Sequence, residues 1–248
     1  MTTLTQSPPQ IIRSTQLRLA FMKVFGLAFV AASWILARNA EPRTKWTLLL
    51  IAGVPFLQFP ITLLGRRALD AHPDTVRAQW ASLFVHYGEM IVLGVSIFPA
   101  IRIVQEDYLH QTPFRFPPIV GQVLMTVTGF AAAFTVLNLA IRGLGLPFAA
   151  KLSSRLATDW MYGWTRNPMG LCTFAFLFSV GVRYWCMWFL IVLLVCLTPG
   201  WIFFVRYFEE RELEIRFGAP YVAYRAATPM FWPRKPRQIC QERARGGL

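Results

Sequence analysis

The chain has 248 residues, 55% of them hydrophobic and only 15% charged, with 25 Lys/Arg against 12 Asp/Glu and a formal net charge of +13. A mean hydropathy of +0.44 excludes an ordinary water-soluble domain. The positive surplus flanks apolar runs instead of gathering in one patch, which speaks for bilayer orientation and against nucleic acid as the partner.

A membrane span needs about 20 mainly apolar residues. After a polar tail (Met1 to Gln16), the first such run is Leu19 to Ala37, interrupted only by Lys23, which can snorkel from near a helix end. Small residues near Ala37 and Ala40 faintly suggest a cleavage site, but further spans follow, so an uncleaved first helix is expected. Trp46 to Gly65 has no charged residue, Ala78 to Ile101 has only Glu89, and Phe116 to Ile141 has none. Met169 to Val182 is clean but short, so it half-spans, tilts, or extends through Arg183 into the next run, Tyr184 to Val205. The fold class is therefore all-α: a polytopic transmembrane bundle of about five or six spans, with breaks expected at Pro55, Pro60 and Pro99. Residues 1–141 form the N-terminal helices. Residues 142–248 form a connector, a helical hairpin and a tail, and the two parts are expected to fold as one unit.

With six spans and the N-terminus inside, 18 Lys/Arg fall in inner segments and 6 in outer loops. That asymmetry places both termini in the cytoplasm of a multi-pass protein, in a bacterial inner membrane or an equivalent. The four cysteines, Cys172, Cys186, Cys196 and Cys240, have no ligand spacing, three lie in apolar helices, and they read as reduced thiols. His86 and Glu89 are three apart within one span and share a helix face, and intramembrane ionisable groups are candidates for function. A mutually hydrogen-bonded pair and a place in a substrate pocket both stay open. One His and one Glu are too few for a metal site, and His72 and His110 lie in loops.

The densest chemistry is in the last third. In "WMYGWTRNPMGLC" (160–172), Asn167 is a preferred N-cap and Pro168 a natural first helical residue. Arg166 beside them makes a carboxylate or phosphate site conceivable at the membrane edge. From Phe203 to Phe217, charges alternate with aromatic and aliphatic residues, which predicts a C-terminal cytoplasmic amphipathic helix at the surface. Arg206 with Glu210, and Glu212 with Arg216, are i,i+4 pairs of opposite charge. Gly218 suits the left-handed residue after this helix, and Pro220 enforces the stop. Tyr221 and Tyr224 then share one face of a short helix that Pro229 and Pro233 end. A hairpin returns to its own start, so Arg166 and Asn167 should lie near Glu209 and Glu210, roofed by Tyr162, Trp164 and Tyr221.

These residues carry a resemblance. "YGWTRNPMGLC" followed by "EERELEIRFGAPYVAYRAATPMFWPR" resembles the C-terminal motif of the isoprenylcysteine carboxyl methyltransferase and phospholipid methyltransferase superfamily. The matches are Tyr162, Arg166, Asn167 and Pro168, then Glu209, Glu210, Leu213, Phe217, Gly218, Tyr221, Tyr224, Pro229 and Pro233. The likeness covers residues 160–234, about a third of the chain. It implies an integral membrane methyltransferase that binds S-adenosylmethionine and admits a lipophilic or lipidated acceptor from the bilayer. Tyr162, Arg166, Asn167, Pro168 and Gly170 would frame the cofactor, and Glu209 and Glu210 would hold its polar groups. Arg206 would orient a prenylcysteine-like carboxylate, and Glu210 would serve as base for a lipid amine. Gly170 departs from the usual Tyr, which would enlarge the pocket or weaken cofactor binding. Cys172 and Trp160 depart as well. Two other readings stay open: a nicotinamide-dependent membrane reductase of the sterol-reductase-like fold, and a non-catalytic membrane protein that retains the fold.

Overall fold

The computed structural model describes residues 13–39, 51–71, 73–105, 117–143 and 155–234. His72, His110, Cys240 and the first five residues of the Trp46–Gly65 run lie outside them. Among the described residues every regular element is helical. The order is α1 (Arg13–Asn39), a 3₁₀ turn (Val54–Leu57), α2 (Gln58–Ala71), α3 (Thr75–Gln105), α4 (Pro118–Asn138), the short α5 (Met161–Trp164), α6 (Pro168–Arg183), α7 (residues 187–217) and α8 (Ala219–Ala227).

Four stretches are long and apolar enough to cross a membrane: Leu17–Asn39, Val76–Arg102, Pro118–Arg142 and Phe189–Phe217. Phe21, Val24, Phe25 and Phe29 of α1, and Val123, Val127 and Phe130 of α4, are exposed. Apolar faces of that extent suit acyl chains, not water. The protein is a multi-pass membrane protein.

The expected breaks hold only in part. Pro55 opens the 3₁₀ turn, so the Trp46–Gly65 run is interrupted there. Pro60 falls in the first turn of α2, where no amide bond is lost. Pro99 is accommodated inside an uninterrupted α3. The short run ends at Arg183 and does not continue: α6 is 16 residues, about 24 Å long. The chain then reverses through Tyr184 and Trp185, the latter at φ 51°. Cys186 lies in this turn and is buried, while Cys172 and Cys196 are half-buried.

Helices approach closely where glycine removes a side chain, as in other membrane bundles. The Arg183 backbone packs onto Gly121, the Trp34 ring onto Gly94, and Val85 with Phe208 onto Gly65. Trp34 Nε1 also donates to the Met90 carbonyl at 2.8 Å, tying α1 to α3. One buried cluster gathers around the hairpin turn (Leu177, Val180, Phe189, Leu193, Leu197). Another gathers where α2, α3 and α7 meet (Leu69, Ala78, Val85, Val205, Phe208).

Helix α7 is not a regular α-helix. It contains π turns at Val192–Leu197 and Val205–Glu209, each of which inserts extra backbone into the turn. The Tyr207 carbonyl inside the second π turn accepts a hydrogen bond from Arg66 Nη1 at 2.8 Å. Asp70 links the same ends, 2.6 Å from Arg66 and 3.2 Å from Arg211, and the Arg66 hydrogen bond holds its carboxyl below the usual range. α7 ends at Gly218, which has φ 60° and ψ −138°, a conformation that favours glycine. Pro220 lies at the start of α8, which ends at Ala227, as the sequence predicts.

Candidate functional site

The segment before α6 is built from the sequence outward. Trp160, at φ 50°, stacks on Phe134 at 5.5 Å and lies 4.9 Å beneath the Arg142 guanidinium, while Asp159 pairs with Arg142 at 3.2 Å. After the single turn of α5, Thr165 is extended, and Pro168 begins α6 with Asn167 at the N-cap position. The Asn167 side chain does not cap the helix. Its Nδ2 donates instead to the Met230 carbonyl at 3.2 Å.

That bond belongs to a strap that sequence reasoning missed. Arg166 N donates to Pro229 O at 2.9 Å, Thr165 Oγ1 to Met230 O at 2.8 Å, and Arg234 N to Trp164 O at 3.0 Å. Residues 229–234 therefore lie across 164–167 and fix the mouth of α6. Tyr224 reinforces this by donating from its hydroxyl to Tyr162 O at 2.7 Å. Burial pushes the phenols of Tyr162, Tyr221 and Tyr224 upward, so all three remain protonated donors.

Behind the strap is a cavity of about 240 Å³ between α2, α3, α6, α7 and α8. Tyr162, Arg166, Asn167, Gly170, Glu209, Glu210 and Tyr221 all line it, so the hairpin does bring the two predicted clusters together. Pro168 supports the wall as the first residue of α6 without lining the cavity. Trp164 is no roof: it is exposed and stands outside, against Phe134, Trp160 and Pro233.

Arg206 is exposed and does not line the cavity. The second π turn is the physical reason. It breaks the i,i+4 register assumed between Arg206 and Glu210, turning Arg206 outward while Val205, Glu209 and Glu210 stay on the inner face. Glu210 pairs instead with Arg166 at 2.9 Å, both side chains being largely buried. The ion pair is close but poorly aligned. Arg166 Nε and Nη1, and Glu210 Oε1, have no hydrogen-bond partner. With Glu210 held by Arg166, Glu209 is the carboxyl on this wall that no ion pair engages among the described residues.

The second predicted pair does form, with Arg216 2.7 Å from Glu212. It is not on an open surface, because Glu212 is only 2% exposed and both residues line the cavity. The last part of α7 is thus a wall of the site, packed against α2, α3 and α8. Its inward residues, Glu209, Glu212, Leu213 and Arg216, fall at helical spacing, a signal visible in the sequence.

Gly170 does not enlarge the pocket. The Trp201 ring fills the space that a side chain at 170 would need. It is held between Phe174 at 4.7 Å and Phe231 of the strap at 5.1 Å. Gly170→Leu should therefore lower the melting temperature in detergent by several degrees, an overpacking cost of about 1–3 kcal/mol. Adding Trp201→Ala should recover part of that loss. An unchanged melting temperature in Gly170→Leu would show that the ring does not occupy this space.

His86 and Glu89 both line the cavity but do not bond to each other. His86 Nδ1 lies 2.8 Å from the Ser82 carbonyl, and Glu89 meets only Thr62 Oγ1, at 3.4 Å. No protein-family model matches the chain, and no curated protein or solved structure matches it.

Proposed function

We propose that this protein is an integral membrane methyltransferase that binds S-adenosylmethionine in the strapped cavity and transfers its methyl group to a lipophilic acceptor entering from the bilayer. The observation that carries this reading is the buried Arg166–Glu210 ion pair, which leaves two guanidinium donors, Nε and Nη1, without partners among the described residues. They lie on different edges of the guanidinium, so each offers one charge-assisted bond to an anionic or hydroxyl group of a ligand. An unengaged carboxylate such as Glu209 matches an ammonium or a ribose hydroxyl. An amino-acid end and a sugar on one ligand meet both demands, and Tyr162 and Tyr221 add aromatic surface for a base.

When bound, S-adenosylmethionine supplies an electrophilic methyl group on a sulfonium. The protein's residues do the rest by position. Arg166 anchors the carboxylate, and Glu209 and Glu210 fix the amino and hydroxyl groups. Trp201, Phe174 and Phe204 exclude water from the reacting end, so that alignment is the main source of rate. Met90, Leu93 and Leu139 offer an apolar path toward the lipid. The same proposal includes cytoplasmic termini, five or six spans, a cytoplasmic C-terminal helix, and a bacterial inner membrane or its equivalent.

Calorimetric titration of purified protein should give saturable binding of S-adenosylhomocysteine and none of NADPH. Binding of NADPH alone would move the protein to the reductase reading. Binding of neither would leave a non-catalytic membrane protein.

A further inference from the structure

The cavity continues past the charged wall to residues that the cofactor reading leaves unused. Glu89 lies at the midpoint of the Val76–Arg102 span, and Gln58 and His86 line the same inner chamber. Gln58 is fully buried. Its Nε2 donates to Pro55 O at 3.0 Å, which leaves Oε1 buried without a partner. Gly200 makes room for this amide: a Cβ at 200 would lie 2.6 Å from both Gln58 Cδ and Nε2. His86 Nδ1 lies 2.8 Å from the Ser82 carbonyl and 3.2 Å from Ser82 Oγ, which leaves Nε2 as the ring nitrogen that Ser82 does not engage. Glu89 receives one long contact from Thr62 and has no cation beside it.

The chamber thus offers Gln58 Oε1 as a buried acceptor, with the His86 ring and the Glu89 carboxyl beside it. The charged wall does not change this balance. Arg166 is paired with Glu210 and Arg216 with Glu212, Glu209 adds another carboxylate, and Arg155 stands at an exposed position. Buried acceptors without donors are costly, and a ligand that donates removes the cost. A carboxylate head has no hydrogen to donate and would leave Gln58 Oε1 unpartnered.

We infer that the inner chamber is a subsite for an amphiphile whose head group donates hydrogen bonds, an amine or an alcohol, and that it rejects carboxylates. Met90 and Leu93 line the chamber beside the head group and carry its apolar chain. As the acceptor site of a methyltransferase this rests on the proposed function. As a binding site it stands on the chamber alone.

The test uses tritiated hexadecylamine, hexadecanol and hexadecanoate in scintillation proximity binding to the full chain in nanodiscs, with S-adenosylhomocysteine titrated separately. The amine or the alcohol should bind at least tenfold more tightly than hexadecanoate. An amine tighter than the alcohol assigns the contact to the Glu89 charge, and equal binding assigns it to neutral hydrogen bonds. Glu89→Met and Gln58→Met should each cost at least tenfold in donor-head binding, while S-adenosylhomocysteine affinity stays within twofold and reports an intact fold. Hexadecanoate binding as tightly as the other two, or wild-type donor affinity in both variants, overturns the inference. Donor-head binding without S-adenosylhomocysteine binding would sink the proposed function and leave the subsite. The reverse pattern would sink the subsite alone.

Discussion

Arg166→Ala should weaken S-adenosylhomocysteine binding by at least about 100-fold, whereas Arg206→Ala should leave it unchanged. The Arg166 side chain is 11% exposed and has two donors without partners, so a bound ligand would gain two charge-assisted bonds there, one on each edge of the guanidinium. Each is worth about 1.5–3 kcal/mol, and about 2.8 kcal/mol corresponds to 100-fold. Arg166→Lys keeps the charge but loses the fixed donors on both edges of the guanidinium, so its binding should fall between wild type and Arg166→Ala. Removing Arg166 also leaves Glu210 without its cation, which destabilises the fold by itself. Arg166→Ala combined with Glu210→Gln, read against Glu210→Gln alone, separates the effects: folding recovers, and the further loss of binding remains. Calorimetry and a thermal melt on the same preparations decide the matter. A loss in Arg206→Ala with none in Arg166→Ala would refute the site.

Ending the chain after Thr228 should abolish binding and cost several kcal/mol of stability. The deletion removes four hydrogen bonds that hold residues 164–167, each worth about 1 kcal/mol. It also removes Phe231 from the face of Trp201, freeing the ring that closes the cavity beside Gly170. Thr165→Val grades the same effect. It loses the bond to Met230 and the acceptor for Asn167 N, and should weaken binding by about three- to tenfold. If the shortened chain binds S-adenosylhomocysteine as the full chain does, the strap has no part in forming the site.

The helical membrane character was legible because long apolar runs admit few alternatives in a bilayer. So was the meeting of Arg166 with the paired glutamates, since a hairpin of that length must return to its start. Gly218 and Pro220 marked the end of α7 through backbone preference alone. Other features escaped. The π turn at Val205–Glu209 leaves no residue-type signal, so an i,i+4 count across it pointed Glu210 at Arg206 and not at Arg166. The strap is made largely of bonds to main-chain carbonyls, to which any residue at 229 or 230 contributes. The place of Trp201 over Gly170 depends on how two helices face each other, and no single-helix pattern contains that. Gln58 passed unnoticed because a lone amide in an apolar run looks like a tolerated exception until its buried, unpartnered oxygen is seen.

The strap also sets an order in time. Arg166 and Arg234 are 68 positions apart in the chain, and ribosomes add about 5–20 residues per second. The guanidinium is therefore made roughly 3–14 s before the segment that locks its backbone. During that interval the early helices can enter the bilayer and pair, but the wall of the cavity is still missing. A nascent or prematurely terminated chain would then be a membrane protein without a working pocket, and ligand capture would begin only when synthesis has passed residue 234.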